Sequence, residues 1–262
     1  MLGEYLVSTC LFLGGWTYLN VLGLRGWITF PLGFLAGLLL LVNMGFLQVV
    51  LGLSTAPIWT LSGVIGFSLA LFSLSWSKIT IEKRAVINLA FCVLFLWLLI
   101  FVFRNVPLVT YHIDSFRYIL TSILLADNNY DLASFNLLTK RLLAVPFLHA
   151  PANIFNEKYL PSITPLMSIS FTISLCWFFV VGNCESFHKR FIQFLCIAII
   201  FLLCTNNRYV FHSMYINGHL YFAVCLTTIS VCSWLLANSR VQLKRVFIGL
   251  MFISRPALVV TR

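Results

Sequence analysis

Long apolar runs, separated by short polar or glycine-containing breaks, dominate the chain. Residues 26–77 contain no charged side chain, a stretch of 52 residues. A helix needs roughly 20 apolar residues to cross the hydrocarbon core of a bilayer, so this stretch alone has room for two membrane spans. The same criterion predicts helical spans at about 2–22, 29–51, 57–76, 86–103, 161–181, 190–204, 214–237 and 246–262.

The pattern therefore predicts an all-α fold, a polytopic transmembrane helical bundle of about eight spans. Strands of a β-barrel alternate between lipid-facing and lumen-facing residues, whereas the leucine, phenylalanine and isoleucine runs here are unbroken. The chain divides into N-terminal membrane helices over 1–103, a loop over 104–160 and C-terminal membrane helices over 161–262. Gly33 and Gly37 have the four-residue spacing that is typical of close helix packing.

The loop over 104–160 is the one long polar-rich stretch, and loops of this length are usually functional. Two segments in it, 115–126 and 132–145, have one-sided apolar faces but are too short and too charged to span. Asp114 precedes the first segment, Asp131 is suited to cap the second, and Pro146 is expected to end it. We expect two amphipathic helices at the outer membrane surface. The alternative is that they only cap the bundle.

Composition and charge narrow the class of protein. Hydrophobic residues make up 61% of the chain and charged residues 9%, against about 25% charged in a soluble domain. A soluble fold is therefore excluded. The net charge of +10 comes from basic residues scattered between apolar runs, so it predicts no nucleic-acid partner. The cysteines lie mainly in apolar runs and the histidines lack metal-ligand spacing, so no metal site is predicted.

The basic residues also predict the orientation in the membrane. Loops on one side of the predicted spans hold nine Lys and Arg residues, and loops on the other side hold six. Since cytoplasmic loops carry the excess of basic residues, the N-terminus and the loop over 104–160 are expected outside the cytoplasm. The chain is therefore expected to be a multi-pass integral membrane protein, located in the plasma or inner membrane if the source is bacterial.

Four stretches, taken in order, resemble one enzyme family. They are Asp114-Ser-Phe-Arg-Tyr118, the proline-containing stretch Lys158–Leu166, the polar helix start Tyr215-Ile-Asn-Gly-His219, and the segment Gly249–Pro256 that ends in Arg-Pro. Together they look like the C-type integral-membrane glycosyltransferases, which use polyprenyl-phosphate sugars. The resemblance covers about residues 100–260.

The chain also departs from the family pattern. Ser115 stands where a second acidic residue is frequent, the proline-containing stretch lacks a histidine, and Ala257-Leu258 replaces an acid and a glycine. Members of the family usually continue well beyond the Arg-Pro point, whereas this sequence stops at Arg262. We therefore expect a truncated or shortened relative, whose activity is less secure than its ancestry.

The resemblance implies transfer of a sugar from a polyprenyl-phosphate carrier to a lipid or glycan acceptor outside the cytoplasm. Asp114 is then the catalytic base. The residues expected to bind substrate or phosphate are Arg117, Tyr118, Lys140, Arg141, Arg208 and His219. A divalent cation that bridges the phosphate is the alternative to these side chains. Without the resemblance, Asp114 would be interpreted as a helix cap, the basic residues as interfacial, and His219 as equally suited to a structural role.

Three other functions stay open at this point. An O-antigen-type polymerase or ligase also combines many helices with a large outer loop. A transporter is less consistent with the sequence, which shows no internal repeat and no pair of interrupted helices. A non-catalytic membrane scaffold is the fourth interpretation.

Overall fold

A computed structural model describes residues 2–56, 59, 83–105, 113–127, 144–182, 191, 194–195, 198–199, 202, 218–238 and 243–259. Over these ranges the regular secondary structure consists of helices, joined by turns and irregular segments. The α-helices are α1 (Leu2–Val21), α2 (Thr29–Leu51), α3 (Lys83–Asn105), α4 (Ile113–Ala126), α5 (Ala144–His149), α6 (Ile163–Gly182), α7 (Gly218–Asn238) and α8 (Lys244–Val259). A 3-10 helix, Ala150–Phe155, follows α5.

The predicted all-α class is thus confirmed in the part of the chain that the structure describes. Within that part, the stretches Ile87–Asn105 and Leu220–Ala237 are long and apolar enough to cross a membrane. The predicted span at 57–76 lies outside the described residues apart from Trp59, and the predicted span at 190–204 is described at scattered positions only.

A tight turn joins α1 to α2 and makes the two helices antiparallel. Gly23 and Gly26 both have positive φ, at 91° and 99°, a conformation that glycine adopts without steric cost. The Thr29 hydroxyl donates to the Gly26 carbonyl at 2.6 Å and so closes the turn at the start of α2. Pro31 lies in the first turn of α2, where its missing N–H would have no helical partner.

Helix α2 lies at the centre of the bundle and contacts α1, α5, α6 and α8. The contact with α1 is close: a side chain at Gly15 would overlap the backbone of Gly33 and Gly37, and one at Gly37 would overlap the backbone of Leu11. The expectation that Gly33 and Gly37 serve helix packing is confirmed. Further along α2, the Asn43 amide donates to the Ile253 carbonyl of α8 at 2.9 Å.

The bundle has two distinct ends. One end, called here the loop end, holds Glu4 of α1, Arg104 of α3 and Ser162 before α6. The opposite end holds the α1–α2 turn with Arg25 and the start of α8, because the Tyr18 hydroxyl donates to the Gly249 carbonyl at 2.9 Å. The described parts of the stretch over 104–160 pack on the loop end.

The stretch over 104–160 differs from expectation in one respect. Pro146 was predicted to end a helix over 132–145, but it lies inside the short helix α5, near its start. A proline is tolerated in the first turn of a helix because the N–H that it lacks would be unpaired there. Residues 132–143 of the predicted segment lie outside the described residues.

Candidate functional site

A fully buried carboxylate organises the loop end of the bundle. Glu4, in the first turn of α1, is fully buried and accepts three hydrogen bonds. Its Oε1 accepts from the Ser162 backbone N–H and from the Ser162 hydroxyl, both at 2.7 Å. Its Oε2 accepts from Nη1 of Arg104 at 2.9 Å. The carboxylate therefore joins three segments that are distant in sequence.

Local structure explains why Ser162 donates to Glu4. Ser162 follows Pro161 and directly precedes α6, whose first turn includes a bond from the Leu166 N–H to the Ser162 carbonyl at 3.0 Å. The start of a helix presents unpaired N–H groups and a partial positive charge, which stabilise a carboxylate. Glu4 therefore occupies an environment that compensates the cost of burying its charge.

Arg104 completes the cluster from the last turn of α3, where a cation interacts favourably with the helix dipole. Its Nη1 also lies 3.7 Å from Oε2 of Glu157. The Arg104 side chain is 23% exposed and that of Glu157 is 14% exposed, whereas Glu4 is fully buried. The ion pair thus extends from the protein interior to the edge of the solvent. Glu4, Arg104, Glu157 and Ser162 are called here the Glu4 cluster.

A buried histidine, His149, precedes Glu157 and Ser162 of this cluster in the same stretch of the chain. Nδ1 of His149 accepts a hydrogen bond from the Leu160 N–H at 3.2 Å, so the proton of the neutral ring is on Nε2. Nε2 is buried without a hydrogen-bond partner among the described residues. Burial lowers the pKa of the His149 imidazole from 6.5 to about 4. His149 is therefore neutral at physiological pH.

Helix α4, the first of the two helices predicted for the outer loop, is attached to the bundle through its C-terminal end. The buried Gln48 amide of α2 donates to the Leu125 carbonyl at 3.1 Å and to the Thr55 hydroxyl at 3.0 Å. The helix begins at Ile113, so Asp114 lies in its first turn. Asp114 was expected to precede a helix over 115–126, and the structure instead places its backbone inside that helix.

The orientation of α4 is unusual for a helix in water. Thr121 and Ser122 are fully buried, and their hydroxyls donate within the helix to the carbonyls of Arg117 and Ile119. Phe116 and Leu120, by contrast, are 68% and 40% exposed. The inward side of the helix thus carries these hydroxyl side chains together with the buried Tyr118 and Leu125, whereas Phe116 and Leu120 face outward.

The structure describes only part of the predicted site. Arg117 is exposed on α4, one residue from Phe116, and Tyr118 is buried. Asp114 and His219 are the second residues of α4 and α7, and their side chains lie outside the described part. Lys140, Arg141 and Arg208 lie outside the described residues. Within the described ranges, no three His, Cys, Asp or Glu residues are grouped to hold a metal ion.

The Glu4 cluster was not predicted as a site. In the sequence, Arg104 is one of the six basic residues on the predicted outer side of the membrane. One signal was present, because Glu4 is the only acidic residue before Glu82. A lone carboxylate in an apolar helix requires a buried partner, although the sequence does not indicate which basic residue provides it.

Comparison of the chain with family models, with curated proteins and with solved structures gives no match.

Proposed function

We propose that the chain is a polytopic membrane protein of about eight spans that transfers a sugar from a polyprenyl-phosphate carrier to an acceptor outside the cytoplasm. In this proposal the loop end of the bundle faces away from the cytoplasm. The positive-inside rule supports the orientation, because the opposite end has Arg25 in its turn and Lys244 and Arg245 at the start of α8.

The surface of α3 supports the membrane environment. Large apolar side chains are exposed along most of its length: Ile87, Phe91, Leu94, Phe95, Trp97, Leu98, Phe101 and Val102. Soluble monomers rarely expose a contiguous apolar patch of this kind. In a bilayer the same side chains contact acyl chains, and the helix backbone satisfies its own hydrogen bonds.

One observation carries the proposed activity: α4 is attached to the loop end while two of its large apolar residues, Phe116 and Leu120, face outward. A helix in this orientation is suited to the boundary between lipid and water, where its outward side chains enter the acyl region. Asp114 in its first turn is then near the depth at which the phosphate of a lipid-linked sugar lies. The motif resemblance of Asp114–Tyr118 points to the same helix.

The chemistry assigned to these residues is a displacement at the anomeric carbon of the sugar. The acceptor oxygen forms a bond to that carbon, the bond to the phosphate oxygen breaks, and polyprenyl phosphate leaves. Asp114 takes the proton of the acceptor hydroxyl. Arg117, exposed on the next turn, binds the departing phosphate through its permanent charge and paired donors. Tyr118 is buried, so in this proposal it holds α4 in place.

Replacing Asp114 by Asn tests the base directly. We expect release of polyprenyl phosphate to fall by roughly 10²–10⁴-fold, while folding is retained because Asn also suits a helix start. The assay uses the purified protein in proteoliposomes, with a panel of polyprenyl phosphates carrying radiolabelled sugars. Asp127→Asn, at an exposed acid just after α4, is the matched control and should keep the wild-type rate.

Two results would contradict the proposal. Near-normal turnover by the Asp114→Asn variant would remove Asp114 from the catalytic role. A wild-type protein that releases no polyprenyl phosphate from any carrier would favour the second candidate, a non-catalytic membrane scaffold. That candidate has one observation in its favour: the Glu4 carboxylate is fully paired, as is typical of a structural ion pair.

A further inference from the structure

We infer that Glu4 is a positioning residue, whose carboxylate holds both ends of the loop over 104–160 against the first turn of α1 and so sets the position of the loop on the bundle. This inference goes beyond the proposed activity and does not depend on it.

The bonds of Glu4 reach both boundaries of the loop. Arg104, which binds Oε2, is the first residue of the loop and lies in the last turn of α3. Ser162, which binds Oε1 through two donors, lies two residues beyond the end of the loop. The start and the end of the loop are therefore brought together on a single side chain.

The geometry favours a holding role over a chemical one. Three donors occupy the two carboxylate oxygens, and the side chain is fully buried. A general base needs access to the proton that it removes, and Glu4 lacks this access. An ion pair in a buried position is instead sensitive to the loss of either partner, because the remaining charge is left uncompensated.

A second contact attaches the loop to the same turn of α1. A side chain at Gly3 would overlap the ring of Phe155, so the 3-10 helix lies directly against the start of α1. From there the chain continues through Glu157, which lies 3.7 Å from Arg104, to Ser162. Bringing together the ends of a long loop costs conformational entropy, and at this site the cost is opposed by bonds that converge on one carboxylate.

Hydrogen exchange, measured by mass spectrometry on the full chain in detergent, tests this inference. In Glu4→Gln the amide oxygen can still accept from Ser162, but the charge that binds Arg104 is lost. We expect amide exchange in 113–126 and 144–160 to accelerate by roughly tenfold or more, since losing one partner of a buried ion pair is strongly destabilising. Exchange in 228–237, the part of α7 towards the opposite end of the bundle, should stay within about twofold, because distant sites respond independently.

Thr9→Val is the matched control. It removes the hydrogen bond of 2.9 Å from Trp97 of α3 to Thr9 of α1, so it weakens the same helix pair without touching the loop. We expect no acceleration in the loop peptides of this variant. Arg104→Gln breaks the pair from the other side and should reproduce the loop effect. The double variant Glu4→Gln/Arg104→Gln should be less affected than the sum of the single changes.

Uniform acceleration across the whole chain in Glu4→Gln would overturn the inference, because it would show a general stabilising role. Unchanged exchange in the loop peptides would overturn it equally. If Glu4→Gln does not fold, the decision rests on Arg104→Gln, for which selective loop exchange supports the role and uniform exchange contradicts it. None of these readouts requires turnover, so the proposed activity can fail while the positioning role holds, or the reverse.

Discussion

Two buried titratable side chains at the loop end, Glu4 and His149, are stabilised in opposite ways. Glu4 pairs with the guanidinium of Arg104 and accepts two further bonds from Ser162. Among the described residues, His149 instead has one hydrogen bond, in which its neutral ring accepts from the Leu160 N–H. Protonation of Nδ1 would remove that acceptor and place an uncompensated charge in a buried position.

This difference leads to a prediction about pH. The pKa of His149 is lowered by burial to about 4 in the folded protein, against 6.5 in the unfolded chain. Between these values the unfolded state binds more protons, so acidification favours unfolding. We expect the contribution of His149 to the free energy of unfolding to be complete above about pH 6.5 and to fall by up to about 3 kcal/mol near pH 4.

The measurement is the free energy of unfolding in detergent as a function of pH, for the wild type and for His149→Gln. Glutamine can accept the Leu160 N–H bond but does not titrate, so the variant should show a weaker loss of stability on acidification. Parallel pH profiles for the two proteins would show that His149 does not titrate as the structure indicates.

At the level of helices, the contact between α1 and α2 depends on residues without side chains. Gly15 of α1 faces Gly33 and Gly37 of α2 so closely that the backbones are in contact. In the proposed membrane bundle, where burial from water does not drive helix association, such close approach supplies the packing energy. The neighbouring Gly14 has no heavy atom of another segment near the position of a Cβ.

Alanine substitutions at the adjacent Gly14 and Gly15 are therefore expected to change stability in opposite directions. Gly15→Ala places a methyl group against the α2 backbone, so the two helices must separate. We expect the free energy of unfolding to fall by about 1–3 kcal/mol or more. Gly14→Ala is expected to be neutral or to stabilise by about 0.5–1 kcal/mol, because alanine is the better helix former. Chemical denaturation in mixed micelles compares the two variants. Equal effects at both positions would contradict the close contact.

For the whole molecule, the two ends of the bundle are chemically different. The loop end holds the Glu4 cluster and α4, and the opposite end holds the α1–α2 turn and the basic start of α8. In the proposed orientation the first faces outward and the second faces the cytoplasm. The side of the membrane on which each end lies can be measured without knowledge of the substrate.

Cysteine labelling with an impermeant maleimide, in a cysteine-free background, tests the orientation. Asp127 and Trp27 are exposed at opposite ends, and neither is a lysine or arginine, so their replacement leaves the basic charges unchanged. We expect Asp127→Cys to be labelled in intact cells and Trp27→Cys only after permeabilisation. The reverse pattern would invert the topology and would exclude transfer from an outward-facing lipid-linked sugar.

The order of hydropathy along the chain was sufficient to predict helices close to α1, α2, α3, α6 and α7, because the length of an apolar run and the chemistry of its turns are local properties. It also predicted a helix directly after Asp114, which in the structure begins at Ile113, and identified the packing role of Gly33 and Gly37. The boundary at Pro146 was missed because a proline can either end a helix or lie in the first turn of the next, and the local sequence is compatible with both.

The partners of buried polar groups could not be predicted in this way. Glu4 binds Arg104 and Ser162 across separations of 100 and 158 residues, and many other basic and hydroxyl side chains could have satisfied the same carboxylate. Likewise, the apolar side of α4 was visible in the sequence, but which of its residues face outward depends on how the helix packs on the rest of the bundle, including the bond from Gln48 to Leu125. Local sequence specifies which segments become helices, whereas the pairing of buried charges depends on how those helices are arranged in three dimensions.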